Sequence, residues 1–238
     1  MIDLLRIKNN HIGIYAVFVC ILMGLLGLFL LVSLDGYRIA EISLGMLQYS
    51  IYTVYTQFGF FIFPVLSINF IAIDYKEKNV SFYELIGYNS SSYFLHKAFV
   101  LMAFITIGNI IISILLSIVY GDFGNMILFF FKLENISIFI TLMSLLYAYL
   151  FKNMMISYCF NFAIWVMSIV LYSINDLFRF LCFYDAALIR HSSFENILKS
   201  GVLMHASVLE EIVYNIIIFL FDVIVVYIFK KRWKRNGI

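Results

Sequence analysis

Long apolar runs separated by short polar stretches set the pattern of this chain. A helix crosses a bilayer in about 20 apolar residues, because every backbone N–H and C=O must then be satisfied within the segment. Six runs meet that demand: 12–34, 51–73, 93–120, 136–151, 154–174 and 212–229. The fourth is the shortest, and it starts earlier if Lys132 and Glu134 lie at the membrane interface. Only the turn Lys152-Asn153 divides it from the fifth. The first run is too long for the apolar core of a signal peptide. It ends in Ser33-Leu34-Asp35-Gly36 without a small-x-small cleavage site, so it is read as a span. No repeat or polar linker divides the chain, which predicts one domain over 1–238.

The stretches outside these runs add two expectations. MIDLLRIKNN puts Ile2, Leu4 and Leu5 toward one helical face and Arg6 and Lys8 elsewhere. That is the pattern of an amphipathic interfacial helix, with a frayed terminus as the alternative. Segment 175–211 mixes Phe178, Phe180, Leu181, Phe183, Leu188, Ile197 and Leu198 with scattered charges, and it is too long for an idle loop. Short helices dipping into the interface are expected there.

Composition supports the same class. With 64% hydrophobic and 13% charged residues, 26 Phe, 17 Tyr and one Pro in 238, the chain lacks the polar surface of a water-soluble globule. The expected fold is an all-α polytopic membrane protein of six transmembrane helices. A net charge of +2 argues against nucleic acid as a partner, and what matters is where the charges lie. The N-terminus, 73–92, Lys97, Lys152 and the tail KKRWKR carry about 11 of the 16 basic residues. On the other side acids outnumber bases by roughly nine to five. The positive-inside rule then places both termini in the cytoplasm. Cys20, Cys159 and Cys182 are scattered without CxxC spacing, and read as packing residues rather than a disulfide or metal framework.

Candidate chemistry is sparse. The chain has no GxxxxGK[ST] loop, HExxH or GxSxG, so no catalytic residue, cofactor site or metal site is assigned. Glu210-Glu211 resembles the paired glutamates of intramembrane CAAX-type proteases. Asn215 stands where that family has Arg, however, and no histidine follows, so the pair reads as a helix start favoured by the dipole. Gln57, Asn109, Asn161, Asn215 and Asp222 are expensive in lipid and are the candidates for a substrate path, with interhelical hydrogen bonding as the alternative. At about 100° per residue, Glu211, Asn215 and Asp222 form one polar stripe.

The densest charge lies in IDYKEKNVSFYELIGYN, between two spans. Within it VSFYELIG reads as a short helix, with Asn79 or Ser81 as its N-cap. Phe82, Leu85 and Ile86 then fall at i, i+3 and i+4 and make one apolar ridge, which either meets a partner or rests on the chain's own bundle.

The run FIFPVLSINFIAIDYKEKNVSFYELIGYNSSSYFLHKAF resembles the second span, first cytoplasmic loop and third span of type-2 permeases of ATP-binding-cassette exporters. It supplies Pro64, Asp74, Glu77, Phe82, Leu85, Ile86, Ser90–Ser92 and Lys97 in the family's order, with Asn79 where Gly is common. The resemblance implies a separate ATPase subunit that binds ATP and Mg, and a second permease, identical or related. It also implies coupling through Asp74, Glu77, Phe82, Glu84, Leu85 and Ile86. Small Phe- and Ile-rich permeases of this kind resemble exporters of bacteriocins, lantibiotics or amphipathic toxin peptides in Gram-positive bacteria. An aromatic cavity would take the apolar face of such a peptide and Asn and Gln groups the polar one. A permease for small hydrophobic drugs, or a non-transporting scaffold or sensor, is the alternative.

Overall fold

The computed structural model describes residues 11–34, 36–184 and 205–237, and among these every regular element is helical. The helices are α1 (Ile12–Ser33), α2 (Leu44–Gln57), α3 (Gly59–Lys76), α4 (Val80–Leu85), α5 (Ser90–Tyr120), α6 (Met126–Leu150), α7 (Met154–Ile174), α8 (His205–Ile228) and α9 (Lys230–Gly237). Short 3-10 turns cover Ile39–Glu41 and Asp176–Cys182. Six helices are long and apolar enough to cross a membrane: α1, α3, α5, α6, α7 and the Val208–Ile228 part of α8. Of the short helices expected after the fifth span, Asp176–Cys182 is one. The N-terminal interfacial helix and 185–204 lie outside the described residues.

Polar residues mark the helix ends. Asn89 caps α5 by accepting from the Ser92 N–H at 2.8 Å, and Asn153 caps α7 by accepting from that of Met155 at 2.8 Å. At the far end of α5, Gly121 takes the left-handed conformation (φ 65°) that stops a helix.

Three spans depart from the sequence reading. The run 51–73 is two helices parted at Phe58, and the span is α3. At 1.5 Å per residue the 14-residue α2 is only about 21 Å long, too short to cross. It packs instead against α1, α3 and α6. Gly27 allows its approach to α1: the Ser50 hydroxyl donates to the Gly27 carbonyl at 2.8 Å, and a Cβ at Gly27 would stand 2.9 Å from Ile51 Cα. The break falls where Gly59 and Pro64 weaken the helix. Pro64 has no N–H for the Phe60 carbonyl, which accepts from Asn161 Nδ2 at 3.3 Å instead. Next to it the Phe61 carbonyl takes the Tyr158 hydroxyl at 2.9 Å.

The fourth span starts at Met126 rather than near residue 136, because Lys132 is buried in the bundle instead of sitting at the interface. The sixth starts at His205, so Glu211 is not at a helix start.

α6 is central, touching α2, α3, α5, α7, α8 and α9. Apolar packing gathers in two clusters. One lies among α1, α2, α3, α5 and α6, around Tyr55, Phe63 and Leu101. The other joins the ends of α3, α6 and α8 to α4, α9 and the start of α5 around Tyr75, Tyr83, Tyr93, Tyr149 and Trp233.

Candidate functional site: a mounted ridge and an aromatic cavity

The second cluster encloses an ion pair. Asp74, in the last turn of α3, meets Lys97 of α5 at 2.7 Å, and both are about 1% exposed. Tyr93 donates its hydroxyl to the same Asp74 oxygen at 2.9 Å. The Lys97 ammonium also sits 4.0 Å from the centre of the Phe70 ring and 5.2 Å from that of Tyr83, a cation–π setting for a charge withdrawn from water. Lys78, at φ 57°, turns the chain after α3, and the Asn79 N–H closes the turn on the Asp74 carbonyl at 2.9 Å.

α4 stands on this base. Its Val80 and Tyr83 are buried, Tyr83 lying edge-on to Tyr93 with ring centres 5.0 Å apart. Its other face is open: Phe82 is 46% exposed, Leu85 85% and the adjoining Ile86 42%. Among the described residues the ridge therefore does not rest on the chain's own bundle. α9 braces the helix from the side, with Trp233 buried 5.4 Å from Tyr93 and Lys234 paired with Glu84 at 2.6 Å.

Several expectations change here. Asp74, expected among the coupling residues, is a buried carboxylate with no exposed face, because Lys97 and Tyr93 enclose it. Glu84 already has a partner in its own chain. Glu77 is exposed and accepts from Asn79 Nδ2 at 2.7 Å. Neither Asn79 nor Ser81 caps α4 through its side chain: Asn79 holds the N-cap position but gives its amide to Glu77.

The polar groups of the spans do not converge on one site. Asn109 accepts from the Tyr55 hydroxyl at 2.9 Å and donates to Glu134 at 2.9 Å and Ser137 at 3.3 Å. Glu134 also accepts from Thr106 at 2.6 Å. Asn161 accepts from Ser144 at 3.3 Å while serving the Phe60 carbonyl. Asn215 accepts from Tyr184 at 2.9 Å and donates to the Asn135 carbonyl at 2.9 Å. Gln57 is half-buried at the α2–α3 break.

Beside Asn215, Glu211 pairs with Lys132 at 2.6 Å, both nearly inaccessible, and accepts from Asn135 Nδ2 at 3.4 Å. Asp222, farther along the same stripe of α8, is fully buried, and neither carboxylate oxygen has a hydrogen-bond partner among the described residues. It falls between the Asn215–Asn135 contact and that of the Tyr149 hydroxyl with the Val226 carbonyl.

A cavity of about 520 Å³ lies between α6, α7, α8 and the Asp176–Cys182 turn. Phe60, Phe139, Tyr147, Trp165 and Tyr214 give it aromatic walls, and of the five polar candidates only Asn161 lines it. Ile218, Phe221 and Val225, which flank Asp222 on α8, form part of the wall. Such a space suits an apolar guest with few polar groups. The sequence pattern pointed to an aromatic-rich interior but not to these residues, which come from four separate stretches of chain.

Two of the cysteines are buried, and Cys20 lies against Gly108, where a Cβ would stand 2.7 Å from that of Cys20; Cys159 is exposed instead of packed. No group of three metal-ligating side chains occurs among the described residues. Glu211 of the protease-like glutamate pair serves Lys132.

A sequence model of the "Peptide export permease protein YydJ family" matches residues 2–238. The chain is also 33% identical, over 225 residues, to a "Probable peptide export permease protein YydJ" of Bacillus subtilis (strain 168), an alignment covering 92% of this chain and 91% of that protein. No solved structure matches. The match over nearly the whole length, on a chain of six spanning helices, places this protein in the YydJ family of peptide export permeases, as a multi-pass subunit of the cytoplasmic membrane.

Proposed function

We propose that the chain is the membrane half of an ATP-driven exporter of amphipathic peptides, taking its energy from a separate ATPase that docks on α4. The observation that carries this reading is the ridge: Phe82, Leu85 and the adjoining Ile86 are exposed outside the spanning helices, on a short helix whose other face is fixed to α3 and α5. An apolar ridge that the described residues leave bare fits a groove on a partner, and a stiff mount lets a displacement of the ridge reach the spans. In this scheme α4 and α9 face the cytoplasm, the partner ATPase binds ATP and Mg, and two permease chains complete the path. Closure of the ATPase rocks the two halves between inward- and outward-facing states. The cavity lined by Phe60, Trp165 and Tyr214 takes the apolar face of the peptide, with Asn161 at its wall for a polar group.

The test is Phe82→Ala combined with Leu85→Ala. Neither side chain supports the core, so the variant keeps normal membrane abundance and loses both co-purification of the ATPase and peptide export. Retention of both functions at normal abundance overturns the docking assignment. Bacteriocin or toxin cargo, and service in secretion or self-protection, are distinguished by supplying the candidate peptides to the reconstituted pair.

A further inference from the structure

A second pocket, of about 400 Å³, opens where α5 begins and α8 gives way to α9, next to the α4 mount but apart from the ridge and the aromatic cavity. Lys230 and Lys234 both line it. Among the described residues Glu84 is the one carboxylate in its wall, and it is already paired with Lys234. Lys230 rests 5.0 Å from the centre of the Tyr227 ring and meets no carboxylate among the described residues. The charge left over in the pocket is positive.

Two further features ask for an acceptor. Trp233 lines the pocket at 1% exposure, and its Nε1–H has no hydrogen-bond partner among the described residues; a buried donor is seldom left so. Asn89 and Ser90 bring to the same wall the N-terminus of α5, a 31-residue helix. First-turn N–H groups point out of any helix and favour an anion, and Asn89 satisfies only that of Ser92 here. The pocket also lies between the ends of two spans, α5 and α8, the level at which headgroups sit.

We propose that this pocket binds a phosphate anion, supplied by the headgroup of an anionic phospholipid. Lys230 and Lys234 neutralise the charge, the Trp233 Nε1–H donates to a phosphate oxygen, and the α5 N-terminus faces the group. Because Lys234 and Trp233 also hold α4 and Tyr93, an occupied pocket stiffens the platform beneath the ridge.

Trp233 is one of two tryptophans, so Trp165→Phe in the full-length chain leaves it as the only indole reporter. Its emission is followed in detergent while dihexanoyl phosphatidylglycerol, dihexanoyl phosphatidylcholine or inorganic phosphate is added. A saturable shift is expected with phosphatidylglycerol and not with phosphatidylcholine. Lys230→Gln, at an exposed residue outside the core, weakens it about tenfold. Glu84→Gln, which keeps both lysines, leaves the response intact or tightens it. The same saturable response to inorganic phosphate alone supports the phosphate site and assigns its source to solution instead of lipid. No saturable response to any of the three, an equal response to phosphatidylcholine, or indifference to Lys230→Gln overturns the proposal.

Discussion

Among the described residues two buried lysine–carboxylate pairs tie the bundle together, one near each end of α6. Asp74–Lys97 lies at the end where Tyr149 of α6 receives Tyr75 and reaches Val226. Lys132–Glu211 lies some 17 residues earlier along α6, roughly 25 Å away. Their distances are alike, at 2.7 and 2.6 Å, but their settings are not. The first is wrapped by the rings of Phe70, Tyr83 and Tyr93 and carries a helix that turns its apolar face outward. The second is enclosed within the bundle with Asn135, beside Asn215 and Tyr184, and carries no exposed ridge among the described residues. A buried pair thus fixes position at both ends, and only at one does it hold an exposed apolar ridge among the described residues. Asp222 sharpens the contrast, being a third buried acid without a hydrogen-bond partner on the same stripe as Glu211.

Substitutions separate these roles by size. Glu211→Leu alone strands Lys132 in the bundle and lowers stability by about 3–5 kcal/mol, read as thermal unfolding in detergent. Adding Lys132→Met recovers most of that loss; no recovery would show that the pair does more than compensate itself. A smaller effect is expected from Asn161→Leu, which strips the partner from the Phe60 carbonyl freed by Pro64 and costs about 1–2 kcal/mol. Asp222→Leu goes the other way: with no partner to lose, the protein holds or gains stability, while export falls if the acid serves the path. A loss as large as that of Glu211→Leu would reveal a partner for Asp222. The smallest effect belongs to Glu84→Gln, about 0–1 kcal/mol, because Lys234 is 60% exposed and the pair is screened by solvent.

How much of this was legible in the sequence follows from the range of each interaction. Span number rests on length and summed apolarity, which any window along the chain reports. The break at Phe58 does not, since apolar residues flank it on both sides; Gly59 and Pro64 were the available signal. Lys132 and Glu211 stand 79 residues apart, so each was assigned separately, one to an interface and one to a helix start. Asp74 sits at the edge of a charged run, where the sequence alone gives no sign that it belongs to the last buried turn of α3. The ridge was readable from its i, i+3, i+4 spacing. Its bracing by Trp233, a lone ring in a basic tail, was not, because only the fold brings that tail to α4.

Site-directed cross-linking tests the central claim most directly by comparing the two ends of the molecule. Leu85 and Leu177 are exposed apolar residues, 85% and 75% accessible, on α4 and just beyond α7. Each is changed to cysteine in a background without Cys20, Cys159 and Cys182, and a short thiol cross-linker is applied to membranes containing the ATPase. The account predicts a permease–ATPase product at Leu85→Cys whose yield changes with ATP, and none at Leu177→Cys. No product at Leu85→Cys, or equal products at both positions, would contradict it.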